Sequence, residues 1–147
     1  MEVDRNGLEV LDREECLRRL RLTTLGRIGF TSGALPRVLP VNFHLDGDRI
    51  VVHVKRGSRF EFALHDVVVA FEIDGFDPID RSGWSVAVTG VATEVSDPAE
   101  IHTALGRMAG YWAPLDSDVM FVISTELVSG RRIVSRPTPI CEAPVPI

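Results

Sequence analysis

The chain has 147 residues, 45% apolar and 25% charged, with a formal net charge of −5, the make-up of one ordinary globular domain. The acidic balance argues against a general nucleic-acid binder, which needs a basic face, and the purest apolar run, residues 67–71, is far too short to span a bilayer. The opening Met1-Glu2-Val3-Asp4-Arg5 is polar and acidic, so no secretory leader and a cytoplasmic location are expected. Cys16 and Cys141 lack CxxC spacing and read as free thiols.

Asp12-Arg13-Glu14-Glu15 is a capping box, and Cys16, Leu17 and Leu20 then share one face of an opening helix. Arg27 to Thr31 reads as a strand, residues 32–36 as a turn, and Arg37 to Leu45 as the next strand. In that strand Leu39, Val41, Phe43 and Leu45 form one core face. Pro36 and Pro40 cannot donate to a ladder, which places part of it at an edge or bulge. Asp46-Gly47-Asp48 is a hairpin turn, after which Ile50, Val52 and Val54 point inward. Phe60 to Leu64 is helix-like.

Val67 to Asp74 reads as a further strand, residues 75–82 as a polar connection and Trp84 to Val95 as a long strand. Asp97-Pro98-Ala99-Glu100 starts a second full helix, with Ile101, Ala104, Leu105 and Met108 as its stripe. Val119 to Val128 alternates like a strand, and Ser129-Gly130-Arg131-Arg132 reads as an interruption before Ile133-Val134. Residues 1–136 form the expected domain, and the proline-rich residues 137–147 a loose tail. Short turns between strands, with accessory helices and no βαβ alternation, describe a small antiparallel barrel.

Few motifs carry chemistry. No GxGxxG or GxxxxGK[ST] is present. The histidines at 44, 53, 65 and 102 fall at no metal-ligand spacing, so no metal site is expected. Ser85 in Gly83-Trp84-Ser85 sits within a strand, not at the strand-to-helix turn of a hydrolase nucleophile. No acid, base or nucleophile is poised for catalysis.

The basic turn Lys55-Arg56-Gly57-Ser58-Arg59 stands against the acidic background, between a strand and a helix. Cations, a hydroxyl and glycine backbone converging there suit a phosphate. A solvated loop is the plain alternative. Trp84 could cap a barrel end or flank a planar ligand, and so could Tyr111-Trp112. Arg131 and Arg132 could solvate a turn or meet an anionic edge.

In order, the capped helix, Gly26-Arg27-Ile28-Gly29-Phe30, Arg37 to Phe43, Asp46-Gly47-Asp48, the basic turn, Ala70 to Asp74, Gly83 to Gly90 and Ser129 to Arg132 closely resemble the pyridoxamine 5′-phosphate oxidase-like family. The nearest branch is that of small actinobacterial proteins related to nitroimidazole-resistance reductases. The resemblance covers about residues 10–134. It implies a mainly β fold, a six-stranded antiparallel split β-barrel of Greek-key type with two or more accessory helices. It further implies a homodimer with FMN between the subunits.

On that mapping Val38, Leu39, Pro40, Val41 and Asn42 run along the flavin ring. His53, Val54 and Lys55 lead to Arg56, Ser58 and Arg59 at the 5′-phosphate. Trp84 and Ser85 close the pocket, with Arg131 and Arg132 in a turn near it. The implied activity is hydride transfer from reduced nicotinamide to a small organic acceptor, nitroaromatic or quinone-like. The alternatives are use of the deazaflavin F420, with Arg131 and Arg132 serving its longer tail, and a non-catalytic module for flavin or haem. The tail lacks the substrate residues of true pyridoxamine phosphate oxidases, so vitamin B6 oxidation is not expected.

Overall fold

The computed structural model describes residues 2–106 and 118–134. Tyr111, Trp112, Met108, Cys141 and the proline-rich tail lie outside them. Eight strands and three helices follow in the order β1 (Glu9–Leu11), α1 (Arg13–Leu22), β2 (Leu25–Ser32), β3 (Leu35–Asp46), β4 (Arg49–Lys55), α2 (Arg59–Leu64), β5 (Val67–Asp77), β6 (Ser82–Glu94), α3 (Pro98–Gly106), β7 (Asp118–Ser124) and β8 (Leu127–Ile133). Every strand pairing is antiparallel.

Closure depends on the length of β6. Its final residues, Ala92 to Glu94, pair with β7, which joins β6-β5-β2-β3-β4-β7 into a closed ring of six strands. Its earlier part, Gly83 to Thr89, pairs instead with β8, and β8 carries β1 on its far edge. The expected six-stranded barrel is therefore present, extended by two strands.

The alternation in sequence becomes an inside and an outside. Phe43, Ile50, Val52, Phe71, Ile73, Val86, Val88 and Phe121 are all buried. Phe43 and Phe71 meet edge to face at 4.7 Å. Each such side chain contributes about 1.5–3 kcal/mol relative to exposure. α1 lays Cys16 and Leu20 against this core, its start capped by Asp12 accepting the Glu15 amide at 2.8 Å. α2 packs against β2, β4 and β5, with the Phe60 ring 4.9 Å from that of Phe30. A smaller cluster outside the ring gathers Val51, Val95 and Met120, with Ile101 of α3 packed on it.

Three sequence expectations change. Residues 75–77 continue β5 rather than opening a polar connection, and Leu35 and Pro36 already belong to β3. Ser129 to Arg132 is not a turn: it lies within β8, paired with β6 and β1. The break falls earlier, at the buried Thr125, whose hydroxyl donates to the Asp48 carbonyl and whose own carbonyl accepts from Arg13. β1, three residues long, was not anticipated.

β3 pairs with β2 over residues 35–42 and with β4 over residues 43–46, changing neighbours at Phe43. The Phe43 amide donates to the carbonyl of Thr24, the residue before β2, so by the alternation of antiparallel ladders the even-numbered residues 36–42 turn their backbone groups away from β2. Pro36 and Pro40 fall in that set, as the missing donors require.

Candidate functional site

The β3–β4 ladder ends at Phe43 opposite Val52. Beyond it the two strands part, leaving residues 35–42 of β3 with an edge that no strand among the described residues covers. β4 runs on through His53 and Val54 to the basic turn. On that edge the alternation above leaves Val38 and Asn42 as the residues with outward N–H groups. Leu39 and Val41 send their side chains into the core, as does Val54, which is 2% exposed. These three can serve a ligand through backbone alone.

The turn is built by its own capping. The Ser58 amide and hydroxyl both reach the Lys55 carbonyl, at 3.2 and 2.7 Å. The same hydroxyl accepts the Glu61 amide at 3.1 Å, and the buried Glu61 carboxylate accepts the Gly57 amide at 2.5 Å. This is a Ser-x-x-Glu cap at the start of α2, with Glu61 reaching the amide one residue before the cap. Ser58 and the Gly57 amide are thus engaged within the turn, and the charged donors there are the side chains of Lys55, Arg56 and Arg59. Lys55, Arg56 and Arg59 are exposed and make no ion pair among the described residues.

At the branching point of β3 and β4, the rings of His44 and His53 stack with centroids 5.8 Å apart. Burial, and then the charge of His53, push the His44 imidazole below its ordinary pKa, so it is held neutral.

The second predicted group lies elsewhere. β8 borders β6, β1 and α1, whereas β4 borders β7, β3 and α2. Trp84 stands opposite Arg132 and Ser85 opposite Arg131 in the β6–β8 register. The Arg19 guanidinium lies 4.5 Å from the centroid of the Trp84 ring. Both β8 arginines already hold carboxylates: Arg131 donates to Asp4 at 2.9 Å and Arg132 to Glu9 at 2.6 Å. No hydrogen bond, ion pair or ring contact among the described residues joins this group to the basic turn.

The sequence reading missed the partners that decide these roles. Glu61 was legible as the fourth residue of Ser58-Arg59-Phe60-Glu61. Asp4 and Glu9 had no local signal, because each meets its arginine across more than a hundred residues of chain.

The decisive comparison is with protein families. The family described as pyridoxamine 5′-phosphate oxidase matches residues 12–132. This chain belongs to that family.

Among its relatives is an uncharacterized protein of Mycobacterium tuberculosis, 39% identical over 130 residues that cover 85% of each chain. The FAD binding protein from Mycobacterium smegmatis is similar in structure, with a TM-score of 0.72 and 28% identity over 85% of this chain and 98% of that one. A conserved protein of unknown function from Corynebacterium diphtheriae gives a TM-score of 0.71 at 31% identity, covering 86% and 98%. No helix among the described residues is long and apolar enough to cross a membrane.

Proposed function

We propose that this chain is a cytoplasmic flavoprotein that binds FMN and passes a hydride from reduced nicotinamide to a small organic acceptor. The observation that carries the reading is the cluster of exposed cations, Lys55, Arg56 and Arg59, which pair with no carboxylate among the described residues, at the end of β4 beside the edge of β3 that no described strand covers. Three cations gathered on one short turn of an acidic chain make a local positive field that attracts an anion. Arg56 and Arg59 would hold the phosphate with their side-chain forks. The outward backbone of Val38 and Asn42 would meet the polar edge of the ring. The flavin, once bound, supplies the hydride chemistry itself, and the protein contributes position, exclusion of water and a charged environment. The similar FAD binding protein from Mycobacterium smegmatis supports a flavin.

The active form in this reading is a homodimer. The outer face of β5, β6 and β8 shows Val68, 66% exposed, Val91, 45%, and Leu127, 68%, between small residues such as Ala70 and Ala87. Such a face is ordinarily covered, and an isologous pairing would cover it. It would also let Trp84 and Ser85 of one subunit approach the basic turn of the other. Paired with Asp4 and Glu9, Arg131 and Arg132 lend no support to a longer anionic tail such as that of F420.

Titration of the purified protein with FMN, FAD and F420, followed by cofactor fluorescence, tests the assignment. Saturable binding with FMN tightest is expected, on a particle that light scattering sizes as a dimer. Failure of all three to bind overturns the reading.

A further inference from the structure

The face that would pair two subunits carries an unbalanced cluster of charge. On β5 Val68, Ala70, Glu72 and Asp74 turn outward, alternating with the buried Val69, Phe71 and Ile73. Val68 lies opposite the exposed Val91, and Glu72 opposite Ala87, so the two carboxylates continue the rows of that face. On the other side of Glu72 stands Arg27 of β2. Its Nη1 donates to Glu72 and to Asp74, each at 3.2 Å. Two carboxylates thus share one guanidinium nitrogen, and one negative charge is left over. In a single subunit these side chains are open enough for water to screen the surplus.

The elements around the pair supply no second cation to balance it. Across it on β6 stand Ser85 and Ala87, and beyond these on β8 come Arg131 and Ser129. Arg131 is already held by Asp4, at 2.9 Å. On the far side of Arg27, β3 offers Pro40. α2 also packs on β5, but its Glu61 is buried against the Gly57 amide and its Arg59 is assigned above to a phosphate. Burial, and then the charge of Asp74, push the Glu72 carboxyl above its ordinary pKa even within one subunit.

We propose that closing two copies of the chain over this face takes up one proton at the Glu72–Asp74 pair of each subunit, so that the dimer tightens as the pH falls. The inference rests on the homodimer reading above. Covering the face removes the water that screens the surplus charge, and an isologous pairing does so twice. A proton from solvent, held between the two carboxyls, leaves a single negative charge against Arg27 and a neutral cluster. A carboxyl whose pKa is higher in the dimer than in the monomer favours the dimer fully below the monomer value. That advantage is lost as the pH rises through the dimer value.

Subunit exchange between full chains carrying donor and acceptor dyes at the N-terminus reads dissociation even from a tight dimer. Exchange should be about fivefold slower near pH 6 than near pH 7.5. Glu72→Gln and Asp74→Asn each leave one carboxylate for Arg27, so both should exchange slowly at the higher pH and lose most of the pH dependence. The two variants are independent, and one that does not fold leaves the other. Arg27→Gln strands both carboxylates and should exchange faster than the parent. Exchange of the native chain that ignores pH overturns the proposal, as does a pH dependence that both carboxylate variants retain. Faster exchange in Glu72→Gln overturns it by showing the carboxylates paired with cations across the interface. A pH effect seen only with FMN in excess would give the proton to the cofactor site and overturn it too. All these outcomes leave the homodimer standing. A particle that sediments as a monomer at both pH values removes the homodimer reading itself, and the inference with it.

Discussion

Gly130 of β8 lies directly against Cys16 of α1: a Cβ added to the glycine would stand 2.6 Å from the cysteine Sγ and 3.0 Å from the Leu11 Cβ. Helix, β1 and β8 meet at this point with no room for a methyl group. Gly130→Ala is therefore expected to destabilise the fold by about 1–3 kcal/mol, the usual cost of overpacking. Cys16→Ala in the same chain should recover part of that loss. Urea denaturation of both variants measures the difference, and an unchanged midpoint for Gly130→Ala would contradict the packing described.

The same burial acts on the thiol. Removal from water, with Asp12 and Glu15 nearby, pushes the Cys16 pKa up, so little thiolate forms at neutral pH. In a Cys141→Ser background, native protein should react with a disulfide reagent only as fast as it opens. Rapid labelling without denaturant would show Cys16 to be accessible.

Removing the Arg59 side chain should weaken FMN binding by about 1.5–3 kcal/mol, the loss of a charge-assisted hydrogen bond. Fluorescence titration of Arg59→Ala against the parent reads it directly. Equal affinities would place the phosphate elsewhere.

Ser58 separates capping from ligand binding. Ser58→Ala removes the α2 cap and should cost about 0.5–2 kcal/mol of stability. Ser58→Asp keeps a good cap but sets a negative charge beside Arg56 and Arg59. Its unfolding temperature should stay near that of the parent while FMN binding falls. A Ser58→Asp protein that binds FMN normally would detach the phosphate from this turn.

Glu15 accepts from Arg18 at 2.8 Å and from Arg19 at 2.9 Å. The Arg18 hydrogen bond, more than any other influence, lowers its pKa to about 2. Because the folded value lies below the ordinary one of 4.5, the stabilisation is fully present above the ordinary value. It is lost as pH falls toward 2. A ¹³C NMR titration of the Glu15 carboxyl should show it ionised at pH 3.5, and an ordinary midpoint would remove the arginine pairing.

Local patterns made much of this fold legible. Leu39, Val41, Phe43 and Leu45 announced a half-buried strand, and Asp12 and Asp97 announced helix starts that the structure keeps. What escaped notice depended on distant chain. Gly130 with two arginines carries the composition of a turn. The glycine is there for Cys16, and the arginines for Asp4 and Glu9, all more than a hundred positions away. At the candidate site the cations and the open edge were readable from Lys55 to Arg59 and from Pro36 and Pro40. The inward role of Ser58 was equally present in its spacing to Glu61, but the phosphate reading competed for the same hydroxyl.

The open edge of β3 bears on how the protein survives at high concentration. A bare strand edge invites another strand to add to it, and repeated addition leads to aggregates. Here two of the four outward-turned positions between 36 and 42 are prolines, so Val38 and Asn42 alone can donate. Donors four residues apart, roughly 13 Å along a strand, cannot sustain a continuous ladder with an incoming chain. They can still each reach a compact ligand. The edge is thereby closed to polypeptide and left open to small molecules.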